Sequence, residues 1–255
     1  MEITKIEKVI KNLTEVFIEA GSLSIELRKK GLKKYVKDDN TPVTNGDIEV
    51  NNILLDKLKK ITPDIPIVSE ETIDNKNLDL NTFWLVDPID GTYDYINNGD
   101  EFTLNAGLII NKIPVAGVIN APAKKRMFYS FGNNLSYELS NNEEKILNKK
   151  KLDKNNIKAV TYSKNLKPEI LEIHNQLKVK EYIKMKSSIK FCVLASGEFQ
   201  VYVADARANE WDIAAGHAIL INSGGIVTDF KGKEILYGKK GFKNSSLICK
   251  SSKDL

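Results

Sequence analysis

Phe83-Trp84-Leu85-Val86-Asp87-Pro88-Ile89-Asp90-Gly91-Thr92 is the stretch from which the rest of the chain can be read. Its four consecutive apolar residues predict a strand buried on both faces. The run ends on an acid, and a second acid follows after Pro88 and Ile89, with Gly91 behind it. Both carboxylates are thereby expected on one side of a tight turn at a strand's end. Two carboxylates held so close repel each other unless a cation sits between them. Hard divalent cations such as Mg²⁺ take oxygen ligands of this kind. A plain surface Asp-Pro turn would not terminate so apolar a run.

Working back toward the N-terminus, Pro66-Ile67-Val68 is a second short apolar run, and it too ends in acids, at Ser69-Glu70-Glu71. Before it, apolar positions from Ile6 to Leu27 recur at helical spacing and predict a long amphipathic helix over 3–30. A second helix is expected from Thr44, whose hydroxyl can cap the first turn, with the acidic Asp47 three residues on. Working forward, Thr103–Ile110, Val115–Asn120, Met127–Phe131 and Ser136–Leu139 read as strands of an antiparallel meander. Residues 140–156 are the most polar stretch and read as a loop between two halves, 1–140 and 155–255. The second half alternates strand and helix: strands at 158–162, 182–185, 200–203, 226–229 and 246–248, helices at 168–177, 187–196 and 212–223. A meander in one half and alternating elements in the other predict α/β layers of sheets and helices, with one site between the halves.

The composition sets limits on function. The chain has 255 residues, 42% hydrophobic and 28% charged, with a net charge of +4. Its lysine-rich runs (Arg28-Lys29-Lys30, Lys124-Lys125-Arg126, Lys149-Lys150-Lys151) lack interleaved aromatics and read as solvated faces, which weighs against nucleic acid as a partner. The mild positive excess favours a small anionic substrate. Cys192 and Cys249 lie in apolar runs and read as buried free thiols, pointing to a reducing, cytoplasmic setting. No apolar run reaches the length of a membrane span.

Trp211-Asp212-Ile213-Ala214-Ala215-Gly216 opens a helix with an acid, over small residues that permit close backbone packing. Asp212 there could also serve only as a cap. His217 reads as a buried, satisfied histidine and His174 as a surface one; neither has zinc-type spacing.

Together the pieces resemble a known family, the inositol-phosphatase-like, lithium-sensitive Mg²⁺ phosphatases, and within it the bacterial 3′(2′),5′-bisphosphate nucleotidases. The matching segments run from Lys37 to Gly225. They are Lys37-Asp38-Asp39-Asn40-Thr41-Pro42-Val43-Thr44 with Asp47, Ser69-Glu70-Glu71, the segment Trp84–Thr92, Asn98–Thr103, Ser187-Ser188-Ile189-Lys190-Phe191-Cys192 and Glu210–Ala218. The resemblance implies an inositol-phosphatase-like sugar phosphatase fold of alternating α-β-α-β-α layers. It implies that Glu70, Asp87, Asp90, Asp212 and the Ile89 carbonyl ligate two or three Mg²⁺ ions. Asp47 would pair with the Thr92 hydroxyl, which would take the proton of an activated water. Gly91 and Thr92 amides would hold phosphate oxygens, and Lys37 would balance charge near the nucleophile. Ser187, Ser188 and Lys190 would grip a second phosphate.

The chain also departs from that pattern. Lys186 stands where the nucleotidase branch usually has glycine, and Ser163-Lys164-Asn165-Leu166 stands for Ser-Arg-Ser-His. Arg207, a candidate substrate contact, is shifted in its loop. Asp205 lies seven residues before Asp212, where the inositol branch carries an acid that contacts sugar hydroxyls. The expected reaction is hydrolysis of 3′-phosphoadenosine 5′-phosphate to AMP and phosphate, with inositol 1-phosphate or another sugar phosphate as the alternative substrate. An RNA- or protein-binding module of the same fold is the remote third reading, and a homodimer stays open.

Overall fold

The computed structural model describes residues 2–37, 40–72, 80–148 and 152–255. The motif residues Asp38-Asp39 and the run Lys149-Lys150-Lys151 lie outside the described residues.

The N-terminal helix α1 (Ile3–Lys30) buries Ile6, Val9, Ile10, Leu13, Val16 and Phe17 along one face. A short hairpin, β1 (Lys34–Val36) and β2 (Pro42–Thr44), leads into α2 (Asn45–Ile61). Both helices cover one face of a seven-stranded sheet. Its strands are β3 (Ile67–Ser69), β4 (Thr82–Asp90), β5 (Thr103–Ile110), β6 (Ile113–Ala121), β7 (Arg126–Ser130), β8 (Ser136–Ser140) and β9 (Glu143–Ile146), in that spatial order. Every pair is antiparallel except β3 with β4. The one-turn helix α3 (Thr92–Ile96) follows β4 directly.

The rest of the chain alternates: β10 (Ile157–Thr161), α4 (Pro168–Gln176), β11 (Val179–Lys184), α5 (Ile189–Ala195), β12 (Val201–Ala204), α6 (Glu210–Asn222), β13 (Ile226–Thr228) and β14 (Leu247–Lys250). Its five strands form a second sheet in the order β11-β10-β12-β14-β13. Helices α5 and α6 lie between the two sheets, and α4 covers the outer face of the second. The layers therefore run α-β-α-β-α. The central helix α6 sits unusually close to the first sheet. Gly107 and Gly117 are cross-strand partners on β5 and β6, and a Cβ on either would fall within 3 Å of Ala214 or Ala215. Bare backbone there lets α6 seat directly on the sheet, and this fixes where its first turn ends up.

Four expectations change. The polar stretch 140–156 contains β9, an edge strand whose residues are all exposed. Its charged Glu143, Glu144 and Lys145 suit an unpaired edge and leave no alternating apolar signal to read. The β1–β2 hairpin and α3 were likewise too short to announce themselves. His174 is buried rather than on the surface, 4% exposed and packed against the Tyr182 ring. The lysine-rich runs are only partly solvated: Arg28 lies over Phe102, Lys124 pairs with Asp100, and Arg126 pairs with Glu138 and Glu198. Both cysteines are buried free thiols, as read. Among the described residues, no helix is long and apolar enough to cross a membrane.

Candidate active site

In a regular strand, residues three apart face opposite sides. Asp87 and Asp90 escape this rule because β4 is bulged between them. Asp87 faces Asn105 and Asp90 faces Thr103, so three steps on β4 are matched by two on β5. One extra residue, in the Pro88-Ile89 pair, restores parity and returns Asp90 to the side of Asp87. Pro88 suits the position because it has no N–H to lose from the ladder. Gly91 then turns the chain with φ at 92°, where a side chain would be strained, and starts α3.

Two further acids are aimed by capping. Asp47 is the third residue of α2, and its Oδ2 accepts the Thr44 N–H at 2.7 Å and the Thr44 hydroxyl at 2.6 Å. Its other oxygen, Oδ1, accepts from Thr92 Oγ1 at 3.2 Å. Asp212 repeats the arrangement on α6, with Oδ2 accepting the Asn209 N–H at 2.7 Å. Capping and site-building are thus the same act: one oxygen fastens the acid to its helix start and leaves the other for the site.

Carboxylate oxygens of Glu70, Asp87 and Asp212 lie within 4.8 Å of one another, although they come from the end of β3, the end of β4 and the start of α6. Asp90 adjoins them. Burial pushes the Asp87 and Asp212 carboxyls well above their ordinary range, and the neighbouring carboxylates push them further. Burial raises Asp90 to about 6, against the pull of Lys190 and the Ser188 amide. The group fits a divalent cation on a specific observation: Asp87 Oδ1 is buried and has no hydrogen-bond partner. An orphaned carboxylate oxygen among other carboxylates is costly unless a cation completes it. Glu70, Asp87, Asp90 and Asp212 could hold such an ion, as could the Ile89 carbonyl, which lies 3.2 Å from Thr92 Oγ1.

Lys37 closes one side. Its Nζ lies 2.9 Å from Glu70 and 2.7 Å from Glu71. Burial alone would lower this lysine, but the two glutamates hold it above its ordinary value. Glu71, which no motif singles out, joins the site here; burial raises it to about 7, opposed by Lys37.

On the other side a cleft of about 330 Å³ opens from Asp90 and Asp212. It is lined by Gly91, Ser187, Ser188 and Lys190 and, further out, by Asp94, Tyr162, Lys186 and Arg207. Ser188 Oγ is taken up by Asn105 at 2.7 Å and Thr103 at 2.8 Å. Ser187 is held with φ at 49°, and its hydroxyl is buried without a partner. Lys190 is buried and is lowered to about 8 by burial, against the pull of Asp90. Arg207 sits 4.2 Å over the Tyr162 ring. Asp205, by contrast, does not line the cleft: it pairs with Lys167 at 2.6 Å. Asp94 is the residue sequence reasoning missed. It is buried at the cleft wall, accepts the Glu101 N–H at 2.7 Å and pairs with Lys186. Only its place two residues after Thr92 could have flagged it. His217 accordingly stays outside the chemistry, bonded through Nδ1 to the Tyr237 hydroxyl at 2.9 Å.

The sequence matches the inositol monophosphatase family over residues 4–254. It is 35% identical over 237 residues to the 3′(2′),5′-bisphosphate nucleotidase CysQ of Buchnera aphidicola, covering 90% of this chain and 88% of that one. Among solved structures, CysQ from Bacteroides thetaiotaomicron superposes with a TM-score of 0.76 at 27% identity, covering 92% of this chain and 94% of that one. A Thermotoga maritima IMPase shares the fold, with a TM-score of 0.75 at 24% identity over 95% of this chain and 91% of that one. With site and architecture in agreement, the chain belongs to the inositol monophosphatase family.

Proposed function

We propose that this chain is a Mg²⁺-dependent phosphomonoesterase that hydrolyses 3′-phosphoadenosine 5′-phosphate to AMP and phosphate. The observation that carries the reading is the orphaned, buried Asp87 oxygen inside a half-buried carboxylate cluster at the head of a cation-lined cleft. Glu70, Asp87, Asp90, Asp212 and the Ile89 carbonyl would hold two or three ions. Magnesium bound there supplies Lewis acidity, lowering the pKa of water and offsetting charge on the leaving oxygen.

The protein's own part is positioning and proton transfer. Thr92 Oγ1, held by Asp47 Oδ1, takes the proton of the attacking water and passes its own to Asp47. Burial raises the Asp47 carboxyl above its ordinary value, so it is a better proton acceptor than an exposed aspartate. Thr44 keeps that carboxyl from turning away. Lys37 balances the acids beside it, and the Gly91 and Thr92 amides hold the reacting phosphate where no side chain intrudes. Ser187, Ser188 and Lys190 bind the second phosphate; the unpartnered Ser187 hydroxyl supports this role. The two buried thiols support a cytoplasmic setting.

A second reading, inositol 1-phosphate or another sugar phosphate, has one observation in its favour. Asp205 Oδ1 is buried without a partner, and an acceptor of that kind suits sugar hydroxyls. The deciding experiment is phosphate release by the purified protein from both substrates, with Mg²⁺, with chelator and with lithium. The nucleotide should give the higher kcat/KM, with activity lost on chelation and inhibited by lithium. Turnover of inositol 1-phosphate with none of the nucleotide would reject the first reading.

A further inference from the structure

The two ends of the cleft differ in charge. Asp90 and Asp212 stand at the inner end, whereas the outer half is lined by Lys186, Lys190 and Arg207 against a single carboxylate, Asp94. Glu101, whose Oε2 accepts the Lys186 N–H at 3.0 Å, stands behind this wall, so the cations exceed the carboxylates there by one. The three cations are not equally available. Lys190 is buried, and its ammonium is engaged by the Ser187 carbonyl. Arg207 is spread over Tyr162. Lys186 is anchored at its base and loose at its tip. Its main-chain N–H donates to Glu101 Oε2 at 3.0 Å, while its side chain is 47% exposed and ends on Asp94.

Asp94 keeps one of its two partners if Lys186 leaves: its buried Oδ2 still accepts the Glu101 N–H at 2.7 Å, and only Oδ1 gives up the ammonium. An incoming phosphate brings more negative charge than one carboxylate and offers several acceptor oxygens, so it can draw the ammonium away. We propose that Lys186 is a specificity-determining residue: its ammonium leaves Asp94 and binds the second phosphate of the substrate. This inference rests on the bisphosphate reading above and goes beyond the Ser187-Ser188-Lys190 grip.

The test compares Lys186→Met and Lys186→Arg with the unaltered protein on two nucleotides, 3′-phosphoadenosine 5′-phosphate and adenosine 3′-monophosphate. Loss of a charge-assisted contact should raise KM for the bisphosphate about tenfold or more in Lys186→Met. Its kcat, and both constants for the monophosphate, should stay within about twofold. Lys186→Arg should restore most of the loss, and the salt dependence of KM for the bisphosphate should be shallower in Lys186→Met. Equal losses on both nucleotides, or a lower KM for the bisphosphate in Lys186→Met, would overturn the inference while leaving the bisphosphate reading intact. Failure of the unaltered protein to release phosphate from the bisphosphate would overturn both.

Discussion

The inner and outer ends of the cleft are built on different principles. At the inner end, every acid is fixed by main-chain geometry of a regular element: a bulge on β4, the end of β3, and two capping boxes at the starts of α2 and α6. At the outer end, Lys190 and Asp94 sit on the short helices α5 and α3, while Lys186, Tyr162 and Arg207 sit on the β11–α5 connection and on the segments after β10 and β12, and Arg207 is exposed. A metal site needs several like charges to be held together against their repulsion, and only rigid elements can supply that restraint. Choice among substrates needs only a few long side chains that can exchange partners. The difference implies that chemistry should fail sharply when the inner end is altered, and that the outer end should tune it by modest factors.

The sharpest way to break the comparison is to neutralise one inner acid. Asp90→Asn or Asp212→Asn should lower kcat by about 10³-fold or more, since several kcal/mol of charge stabilisation are lost with the cation. The metal-free fold should survive, and its Tm should stay level or rise, because a like charge has been removed from a crowded, half-buried cluster. Phosphate release and a melt in chelator check both halves. Near-normal turnover in either variant would mean that the inner end is not the site.

A second test uses pH on the metal-free protein. Burial raises Asp90 to about 6 and Glu71 to about 7 in the fold, from ordinary values of 3.8 and 4.5. The folded state therefore binds more protons than the unfolded chain across this window, so stability is full below about pH 4 and falls as pH rises toward about 7. A rise of roughly two pH units corresponds to ~3 kcal/mol as an upper bound for each group. Asp87 and Asp212, raised by burial and by like charge, act in the same direction. In chelator, Tm should be lower at about pH 7.5 than at about pH 5. Added Mg²⁺ should recover it only at the higher pH, since the ion binds the ionised cluster. A chelated protein that gains stability over this range would show that the acids do not repel as the geometry requires.

The same contrast decides what could be read from sequence. The inner end was legible because its devices are local: an apolar run closed by an acid, Thr44 three residues before Asp47, small residues after Asp212. Even so, the bulge that reconciles Asp87 with Asp90 was hidden, since a spacing of three does not reveal on which side of a sheet the second acid will fall. The helices and most strands followed from apolar periodicity. The missed pieces, β9, β1–β2 and α3, are exposed or only a few residues long, so burial left no pattern in them. His174 was misread because α4 is polar by composition, while its inner face is covered by the second sheet. Asp94 and the Lys186 pairing join residues 92 positions apart, and no local signal carries such a contact.

The smallest expected effect sharpens the comparison most, because it separates the two candidate substrates at the outer end. Asp205 is paired with the exposed Lys167 and stands outside the residues that line the cleft, so a nucleotide held by cations has no use for it. Ion pairs of this exposure contribute about 0–1 kcal/mol. Asp205→Asn should therefore leave kcat/KM for the bisphosphate within about threefold and Tm within a few degrees. A polyol phosphate would behave differently: the unpartnered Oδ1 is an acceptor that could bind a hydroxyl, and an amide would replace it by a weaker acceptor or a donor. If Asp205→Asn damages bisphosphate turnover as much as it damages any inositol 1-phosphate turnover, the outer end is not organised around charge. The cations there would then need another explanation than a second phosphate.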